Sequence, residues 1–535
     1  MWVMVMRCVF KHHVYLCVVS TALMAGLALT SHTSKAYAQA HNCGSSGVVG
    51  TVNNEPIVCD GGVTRILNSR SGDIEINMDT GPGKSAGAAV TVRGSGTNIT
   101  IGKTLKVTGS KGKPVIKVER GGALTLVKDV DVKGVTIKKE IVVDGSESSV
   151  TLKGVLKGFD GGEVKVSNEG MIVFEKGVKG IEGMKVKIND GGGMVRFDES
   201  VAFNNGEAGI KITGSKGNAS VIGMGKTMTV NGTGGGGDGV GIQMDGAGKI
   251  DVMRLKIKGS GGTGVDVQSG TMTLMGVEIE GFKMGVHARS GTVDINGNST
   301  ITVKDGGTGI MVGRTGTANL MGGKIMGSGG GGNFGVQGNG GTVMLTSVGI
   351  SKFGKGVDVT GGRLEINGNS TVTFEGAGHG VKASGEATAD LMGVEIEGSG
   401  AAGTGVVMGS TGKMTMTNVD ISKVKVGVEA QRGTVEMMGG TTITFESGSG
   451  SYGVKVQNGV KMANLDRVTI KGKGSGEGTG LYVQGTATMT GGEISNVSEG
   501  VLMTGSGTLK ISGEAKIMFK GDYGVKVMGT ATANI

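Results

Sequence analysis

Apolar and polar residues alternate along almost the whole chain with the two-residue period of a β-strand. Clear examples are "DIEIN" (73–77), "KIDVMRLKIKG" (249–259) and "VDVTGGRLEING" (357–368). The repeats do not sustain the i, i+3, i+4, i+7 spacing of an amphipathic helix. The pattern therefore predicts a chain built from short strands and turns.

One stretch of this pattern is restated at regular intervals. "GTVDINGNSTITV" begins at residue 291, and "GRLEINGNSTVTF", "GTVEMMGGTTITF" and "GTLKISGEAKIMF" begin at 362, 433 and 507, so the intervals are 71, 71 and 74 residues. Each long repeat divides into three shorter units of about 24 residues, and each unit opens with a glycine followed by an aliphatic residue. These glycines are Gly241, Gly264, Gly285, Gly309, Gly335, Gly356, Gly380, Gly405, Gly427, Gly453, Gly480, Gly500 and Gly524.

A period of 20 to 50 residues is typical of solenoid proteins, and the content of the repeat selects the kind of solenoid. Helical repeats are disfavoured, because each glycine inside a helix costs about 1 kcal/mol relative to alanine. We therefore predict an all-β fold, a right-handed single-stranded parallel β-helix of about 24 residues per coil. Residues 61–535 would form roughly 20 coils stacked ~4.8 Å apart, on the order of 100 Å in total. The alternative, a disordered Gly-rich chain, would not keep inward valines at a fixed period.

The first copy of the restated stretch shows how one coil is predicted to fold. Val293 and Ile295 point inward and their neighbours point outward, and Ile301 and Val303 begin the next inward row. Asn296-Gly297-Asn298 turns the corner, because glycine and asparagine tolerate positive φ.

The N-terminus is typical of a secretory signal peptide. Arg7 and Lys11 precede an apolar run from Val14 to Leu29, and the small-x-small site Ala36-Tyr37-Ala38 follows it. The alternative is a membrane anchor, but the run is shorter than the usual span of about 20 residues. We predict a signal peptide over residues 1–38 and an exported mature chain. Cleavage of the signal peptide removes three basic residues and no acidic residue, so the formal net charge falls from +9 to +6.

Two of the four cysteines leave with this predicted signal. Cys43 and Cys59 remain, in an exported protein where thiols tend to oxidise. We predict a disulfide that ties down a cap segment over residues 39–60. Two free thiols, or a metal site shared with His41, are the alternatives.

The last residues, "TANI" at 532–535, match the starts of earlier units such as "TANLMGGKIMG" at 317. A solenoid needs a cap over its apolar end. The sequence therefore predicts that the β-helix of residues 61–535 is truncated at its C-terminus, or that its natural continuation is missing.

A signal peptide, a Gly-rich parallel β-helix and few cysteines together resemble the passenger domain of a type V autotransporter. The leader "MRCVFKHHVYLCVVSTALMAGLALT", followed by "AYAQAHNCGSSG", more narrowly resembles the Bartonella-type autotransporters. That family includes an angiogenic factor that acts on endothelial receptors. The resemblance implies an outer-membrane β-barrel translocator in the full-length protein and a virulence function outside the cell. This sequence departs from the family in having no separate C-terminal run of amphipathic barrel strands.

Enzymes of the parallel β-helix fold, such as polysaccharide lyases and hydrolases, use paired carboxylates and aromatic rings in a groove. The mature chain has no tryptophan, and its only tyrosines are Tyr452, Tyr482 and Tyr523. Acids such as those of "GVEIEG" (276–281) stand beside lysines, as on a solvated strand face. The histidines are isolated in sequence. We therefore predict a protein that is not an enzyme and needs no cofactor or metal, with a β-helical polysaccharide lyase or hydrolase as the alternative.

Positive charge is concentrated between residues 103 and 139. Ten basic residues there stand against Glu119, Asp129 and Asp131, a local excess of +7. We call this stretch the basic region and predict that strand alternation places it on one exposed face, where it binds a polyanion. Lysines that only keep strand edges soluble are the alternative. The basic region comprises Lys103, Lys106, Lys111, Lys113, Lys117, Arg120, Lys128, Lys133, Lys138 and Lys139.

These features together predict a secreted or surface-displayed passenger that acts by binding, as an adhesin or as the ligand of a host-cell receptor. The expected partners are such a receptor or a glycosaminoglycan. Nucleic acid is not expected for an exported chain. The family resemblance adds pro-angiogenic signalling, which composition and spacing do not show.

Overall fold

The computed structural model describes residue 43 and residues 49–52, 54–70, 72–80, 86–110, 112–204, 206–214, 216–232, 239–329 and 333–535, without the side chain of residue 522. The predicted signal peptide lies outside these residues. The described part is all-β, and its strands form a parallel β-solenoid of about 18 turns with about 24 residues per turn. The predicted fold class is therefore confirmed, and the right-handed sense stays a prediction. Among the described residues there is no helix that could cross a membrane.

Each coil passes through three faces in chain order, which we number 1, 2 and 3. Strands pair in parallel with the equivalent strands of adjacent coils, as Thr292–Asn296 does with Thr263–Met275 before it and Thr317–Met321 after it. The side chains that alternate inward from all three faces fill one continuous apolar core.

Face 1 carries the residues that follow each unit glycine. The strands confined to face 1 are Ile57–Cys59, Val90–Arg93, Ile116–Glu119, Glu140–Asp144, Glu163–Ser167, Lys185–Ile188, Ala208–Ile212, Phe334–Gly338, Thr404–Ser410, Val426–Ala430, Tyr452–Val456 and Thr479–Val483.

Face 2 is the longest unbroken ladder. Its strands are Val49–Thr51, Thr64–Asn68, Asn98–Ile101, Ala123–Leu126, Ser149–Leu152, Gly170–Phe174, Gly193–Phe197, Asn218–Ile222, Thr292–Asn296, Thr317–Met321, Thr342–Thr346, Arg363–Asn367, Thr388–Met392, Lys413–Thr417, Gly433–Met438, Val460–Asp466, Thr486–Thr490, Thr508–Ser512 and Thr532–Asn534.

Face 3 begins as a separate four-stranded sheet made of Ile74–Asn77, Leu105–Gly109, Val130–Val135 and Leu156–Lys157. A single bridge, between Val155 and Lys179, continues it. A regular ladder then resumes with Val201–Phe203, Thr227–Val230, Lys256–Gly259, Lys324–Met326, Glu395–Glu397, Asp420–Val424, Thr442–Glu446 and Thr469–Lys473.

Eight further strands bend round a corner and so belong to two faces. Val240–Met253 and Thr263–Met275 run from face 1 to face 2. The strands that run from face 3 to face 1 are Glu278–Ala288, Thr300–Val312, Gly349–Thr360, Thr371–Gly385, Glu493–Met503 and Lys516–Val527.

The restated stretch folds as predicted. Val293, Ile295, Ile301 and Val303 are all buried. Gly297 and its neighbour Asn298 have φ values of 66° and 57°, in the left-handed region that lets the chain turn the corner.

One structural feature repeats with the 71-residue period at the corner between faces 2 and 3. Ser299 is buried there, donates to the carbonyl of Asn296 at 2.7 Å and accepts from the backbone N of Val277, in the preceding coil, at 3.1 Å. Ser370 repeats both contacts, with Asn367 and with Val348. A buried hydroxyl thus replaces regular corner geometry in every third coil.

The unit glycines form an inward column at the corner between faces 3 and 1. A Cβ atom on Gly380 would lie 2.3 Å from Cγ2 of Ile396 and 2.7 Å from the carbonyl oxygen of Gly405, and the same two contacts recur along the column. Most of these glycines recur because face 3 isoleucine side chains and the next coil's backbone leave no room for a side chain. Val372 takes the place of isoleucine at Gly356, and Phe519 does so at Gly524.

Cys43 and Cys59 are joined by a disulfide, with their Cα atoms 4.9 Å apart. Both residues are buried, and Cys59 lies on the first described strand of face 1. The bond therefore ties the segment before the solenoid to its first coil.

Candidate binding surfaces

The basic region does not occupy a single face. Because each coil passes through three faces, basic residues that follow one another in sequence point in different directions. Lys106 and Lys133 lie on face 3, Lys103 and Lys128 at the corner before it, Lys113, Lys138 and Lys139 at the corner after it, Lys117 on face 1, and Arg120 at the turn between faces 1 and 2. Lys111 lies outside the described residues.

Some members of the basic region are neutralised by neighbouring groups. The Nζ atom of Lys106 lies 3.0 Å from Asp73 and 3.2 Å from Glu75, and hydrogen bonds to these carboxylates raise the pKa of Lys106 above its ordinary value. Lys117 lies 2.8 Å from Glu119. The Lys106 ion pairs join two adjacent strands, whereas Lys117 and Glu119 lie on one strand. In both cases the neighbouring carboxylates offset the positive charge that a polyanion would meet.

Others project without a partner. Lys128, Lys133 and Lys138 are exposed, and none has a carboxylate within 4.0 Å in the described part of the chain. Lys103 precedes Lys128 at the equivalent position of the adjacent coil, since the backbone N of Val127 donates to the carbonyl of Ile101. Like charges stacked at the ~4.8 Å coil spacing repel each other. The edges of the four-stranded sheet are therefore the most electropositive part of the basic region.

Acidic residues on faces 1 and 3 are also held by lysines of the same strand or of an adjacent coil. Glu163 lies 3.1 Å from Lys165 and also contacts Lys187. Burial by itself would raise the pKa of Glu163, but hydrogen bonds from Lys187 and Lys165 outweigh it and hold that pKa below the ordinary value. In the predicted solvated face of "GVEIEG", Glu278 and Glu280 pair with Lys256 at 2.9 Å.

The two described histidines are isolated in sequence but not in the structure. His287 Nδ1 lies 3.6 Å from Asp266, a nearly fully buried carboxylate that also accepts from Arg289 at 2.8 Å. Burial lowers the pKa of His287, Arg289 lowers it further, and Asp266 opposes both. His379 Nε2 likewise lies 3.2 Å from an aspartate on the preceding coil, Asp358.

The described residues contain no group of three or more His, Cys, Asp or Glu side chains placed to hold a metal ion. On face 1, some outward side chains form ion pairs that cross from one coil to the next.

Sequence reasoning missed that all three tyrosines of the mature chain lie on face 1. Tyr452, Thr479, Glu499 and Tyr523 occupy one row of register-matched positions, and Tyr482 lies in the next row. The sequence did contain a feature that could have placed them on face 1. Two of these tyrosines directly precede a unit glycine, and the third follows one by two residues.

Neither a family model, a curated protein nor a solved structure matches this chain significantly. The resemblance to autotransporter passengers therefore rests on the β-solenoid architecture and on the leader sequence.

Proposed function

We propose that this chain is an exported β-solenoid that acts by binding the surface of host cells, as an adhesin or as a receptor ligand. In this proposal the unpaired lysines of the basic region contact a sulfated polyanion such as a glycosaminoglycan. The observation that supports it best is the set of exposed lysines beside the four-stranded sheet, Lys128, Lys133 and Lys138, which have no carboxylate partner among the described residues.

The physical reason is electrostatic. The unpaired ammonium groups of Lys128, Lys133 and Lys138 lie round one coil, and Lys103 stacks on Lys128 from the adjacent coil. Their repulsion raises the local potential and costs stability, and a linear polyanion laid across them would relieve it. Because these lysines are exposed, the attraction should be screened within about 8 Å at physiological ionic strength, so binding should weaken as salt is added.

The finer proposal is that the chain is an autotransporter passenger of the Bartonella type, with a pro-angiogenic action on endothelial cells. Its support is the predicted signal peptide, the Gly-rich parallel solenoid and the quoted leader. Export through the signal peptide would place the solenoid outside the bacterial cell, where such partners are found.

The proposal is tested by binding of the chain from residue 39 to endothelial cells and to immobilised heparin over a salt series. The triple charge reversal Lys128→Glu, Lys133→Glu and Lys138→Glu should weaken both kinds of binding at least tenfold. The matched control reverses Lys461, Lys471 and Lys510, three exposed lysines far along the solenoid. Equal loss in both triple variants would show that only total charge matters, and unchanged binding in the first would reject the polyanion site.

A further inference from the structure

The outer surface of face 1 near residues 429–526 differs from every other part of the solenoid described above. Tyr452 and Tyr523 stand in one row three coils apart, with Thr479 and Glu499 between them. Tyr482 stands beside this row, in register with Lys455. We call the surface formed by these residues and by Gln431, Gln457 and Gln484 the tyrosine face.

The aromatic rings of the tyrosine face are held in place. The ring centroids of Tyr452 and Tyr482 lie 5.4 Å apart, with 53° between the ring planes. The hydroxyl of Tyr482 is hydrogen-bonded to Oγ1 of Thr504 at 3.0 Å. Both rings are partly exposed. They form an ordered apolar platform that needs little further ordering when a ligand binds.

A column of amide side chains runs beside the rings. Gln431, Gln457 and Gln484 occupy equivalent positions on three successive coils. The backbone N of Gln457 donates to the carbonyl of the residue before Gln431, and the backbone N of Gln484 donates to the carbonyl of the residue before Gln457. Nε2 of Gln457 donates to Glu429 at 2.8 Å, and that of Gln431 donates to it at 3.3 Å. The amides therefore offer donors and acceptors in steps of ~4.8 Å along the axis.

The charges of the tyrosine face are balanced. Glu429 pairs with Lys455 at 3.0 Å, and Glu499 accepts from the hydroxyl of Thr479 at 2.8 Å. Lys526 Nζ lies 4.3 Å from the ring centre of Tyr523. Two carboxylates and two ammonium groups leave no net charge, in contrast to the basic region. A polyanion would gain nothing here.

We propose that the tyrosine face binds an uncharged polysaccharide chain that lies along the solenoid axis. The tyrosine rings would pack against the apolar faces of sugar rings, and the glutamine amides would hydrogen-bond sugar hydroxyls. The glutamine amides repeat on three successive coils and tyrosine rings recur along the face, so a linear polymer along the axis can contact both kinds of group. The face spans on the order of 200–300 Å² by strand geometry, well below the ~800 Å² per partner of a stable interface between folded proteins. A thin polymer fits this area better than a globular receptor does.

The mature chain carries its own reporter for this site. Trp2, Tyr15 and Tyr37 all lie in the predicted signal peptide, so the three tyrosines of the tyrosine face are the only strong ultraviolet fluorophores of residues 39–535. The proposal goes beyond the proposed function, because it assigns a second surface with a different ligand.

The experiment combines tyrosine fluorescence with migration in native gels that contain hydroxyethylcellulose, galactomannan, laminarin or heparin. We expect at least one of the three uncharged polysaccharides to retard the protein and to change its fluorescence in a saturable way that does not depend on salt. Response to heparin alone, or to none of the four, would overturn the proposal.

Amino-acid substitutions distinguish the loss of contacts between tyrosine rings and sugars from the loss of the fold. The double variant Tyr452→Ala with Tyr482→Ala should weaken retardation at least tenfold, and Tyr452→Phe with Tyr482→Phe should keep most of it. Phe334→Ala is the matched control, since Phe334 is a partly exposed aromatic in the same row, several coils away. Circular dichroism must be unchanged in all three. Equal retardation of the wild type and the double alanine variant would refute the site.

The outcome is distinguishable from that of the proposed function. If the double alanine variant loses retardation but still attaches to cells through the basic region, both proposals stand. If the wild type is retarded by an uncharged polysaccharide but attaches to no cell, only the cell-binding proposal fails.

Discussion

The coils before residue 204 and those after residue 239 have similar lengths but close the corner between faces 3 and 1 in different ways. Three of the early coils have Glu140, Glu163 and Lys185 at the position before the first inward residue of face 1, and these side chains form ion pairs. In the coils before them, Ala89 and Val115 are buried at that position. In the later coils the matching position is an inward glycine, from Gly241 onward.

This difference changes how the coil is held. In the later coils six strands run unbroken from face 3 to face 1, as Glu278–Ala288 does. In the early coils the four-stranded sheet of face 3 stays separate and a loop joins it to face 1. The later corner depends on steric fit inside it, whereas the early corners at Glu140, Glu163 and Lys185 have ion pairs outside them. Each design predicts a different weakness.

The largest effect is expected for Gly380→Ala. The new Cβ would lie 2.3 Å from Cγ2 of Ile396 and 2.7 Å from the carbonyl oxygen of Gly405, so the corner must open. Overpacking of this kind costs about 3 kcal/mol, and here the adjacent coils cannot shift independently. Amide hydrogen exchange of the surrounding coils should accelerate. Gly87→Ala is the control, because nothing lies within 4 Å of its Cβ position. If amide hydrogen exchange were equally fast in the two variants, the inward corner position would not need a glycine for steric reasons.

A smaller loss is expected when the disulfide at the start of the early coils is removed. Cys43 and Cys59 are 16 residues apart, and closing a loop of that size stabilises a fold by about 2–3 kcal/mol in the chain-entropy model. The double variant Cys43→Ser with Cys59→Ser should expose the first strands to protease at lower urea concentrations. The later coils should be unaffected, since each coil contacts only its neighbours. Weakening along the whole solenoid would contradict this locality.

Glu163→Gln should weaken the early coils by about 1 kcal/mol at neutral pH, because hydrogen bonds to lysines at a partly exposed site are screened by water. The pKa of Glu163 is depressed in the folded state, so its contribution is present above the ordinary value of 4.5 and is lost as pH falls below it. Urea unfolding followed from pH 7 to pH 3 should show a smaller acid-dependent loss in the variant. If the wild type and the variant lost the same stability on acidification, the ion pairs of Glu163 would not stabilise the early coils.

The smallest effect is expected for His287→Gln in the later coils. The pKa of His287 is lowered by burial and by Arg289, so the folded state favours the neutral ring. Stability is therefore highest above the ordinary pKa of 6.5 and falls as the pH drops through that value. Between pH 7 and pH 5.5, the free energy of unfolding should fall by a few tenths of a kcal/mol less in the variant than in the wild type. A stability that rises on acidification of the wild type would mean that Asp266 outweighs burial.

Sequence periodicity predicted the strands, their inward residues and the coil length, because every coil must present the same core to its neighbours. Val293 and Ile295 are buried as the alternation required. The unit glycines were recognised only as markers. Their steric role depends on isoleucine side chains from face 3, 14 to 17 residues further along the chain, which no local pattern shows.

The candidate surfaces were predicted less well, for a related reason. Lys106 and Lys128 are close in sequence, yet one lies in ion pairs on face 3 and the other projects freely from a corner. Which side chains share a face depends on the number of residues at each corner, and that number varies from coil to coil.

The amino-acid sequence by itself determined that this chain is a parallel β-solenoid, because inward apolar residues at a fixed period have no other way to leave water together. Only the tertiary structure decided which outward residues meet. Stacking brings residues some 20 to 30 positions apart to within one strand spacing, so Tyr452, Tyr482 and Tyr523 become one surface although the sequence scatters them.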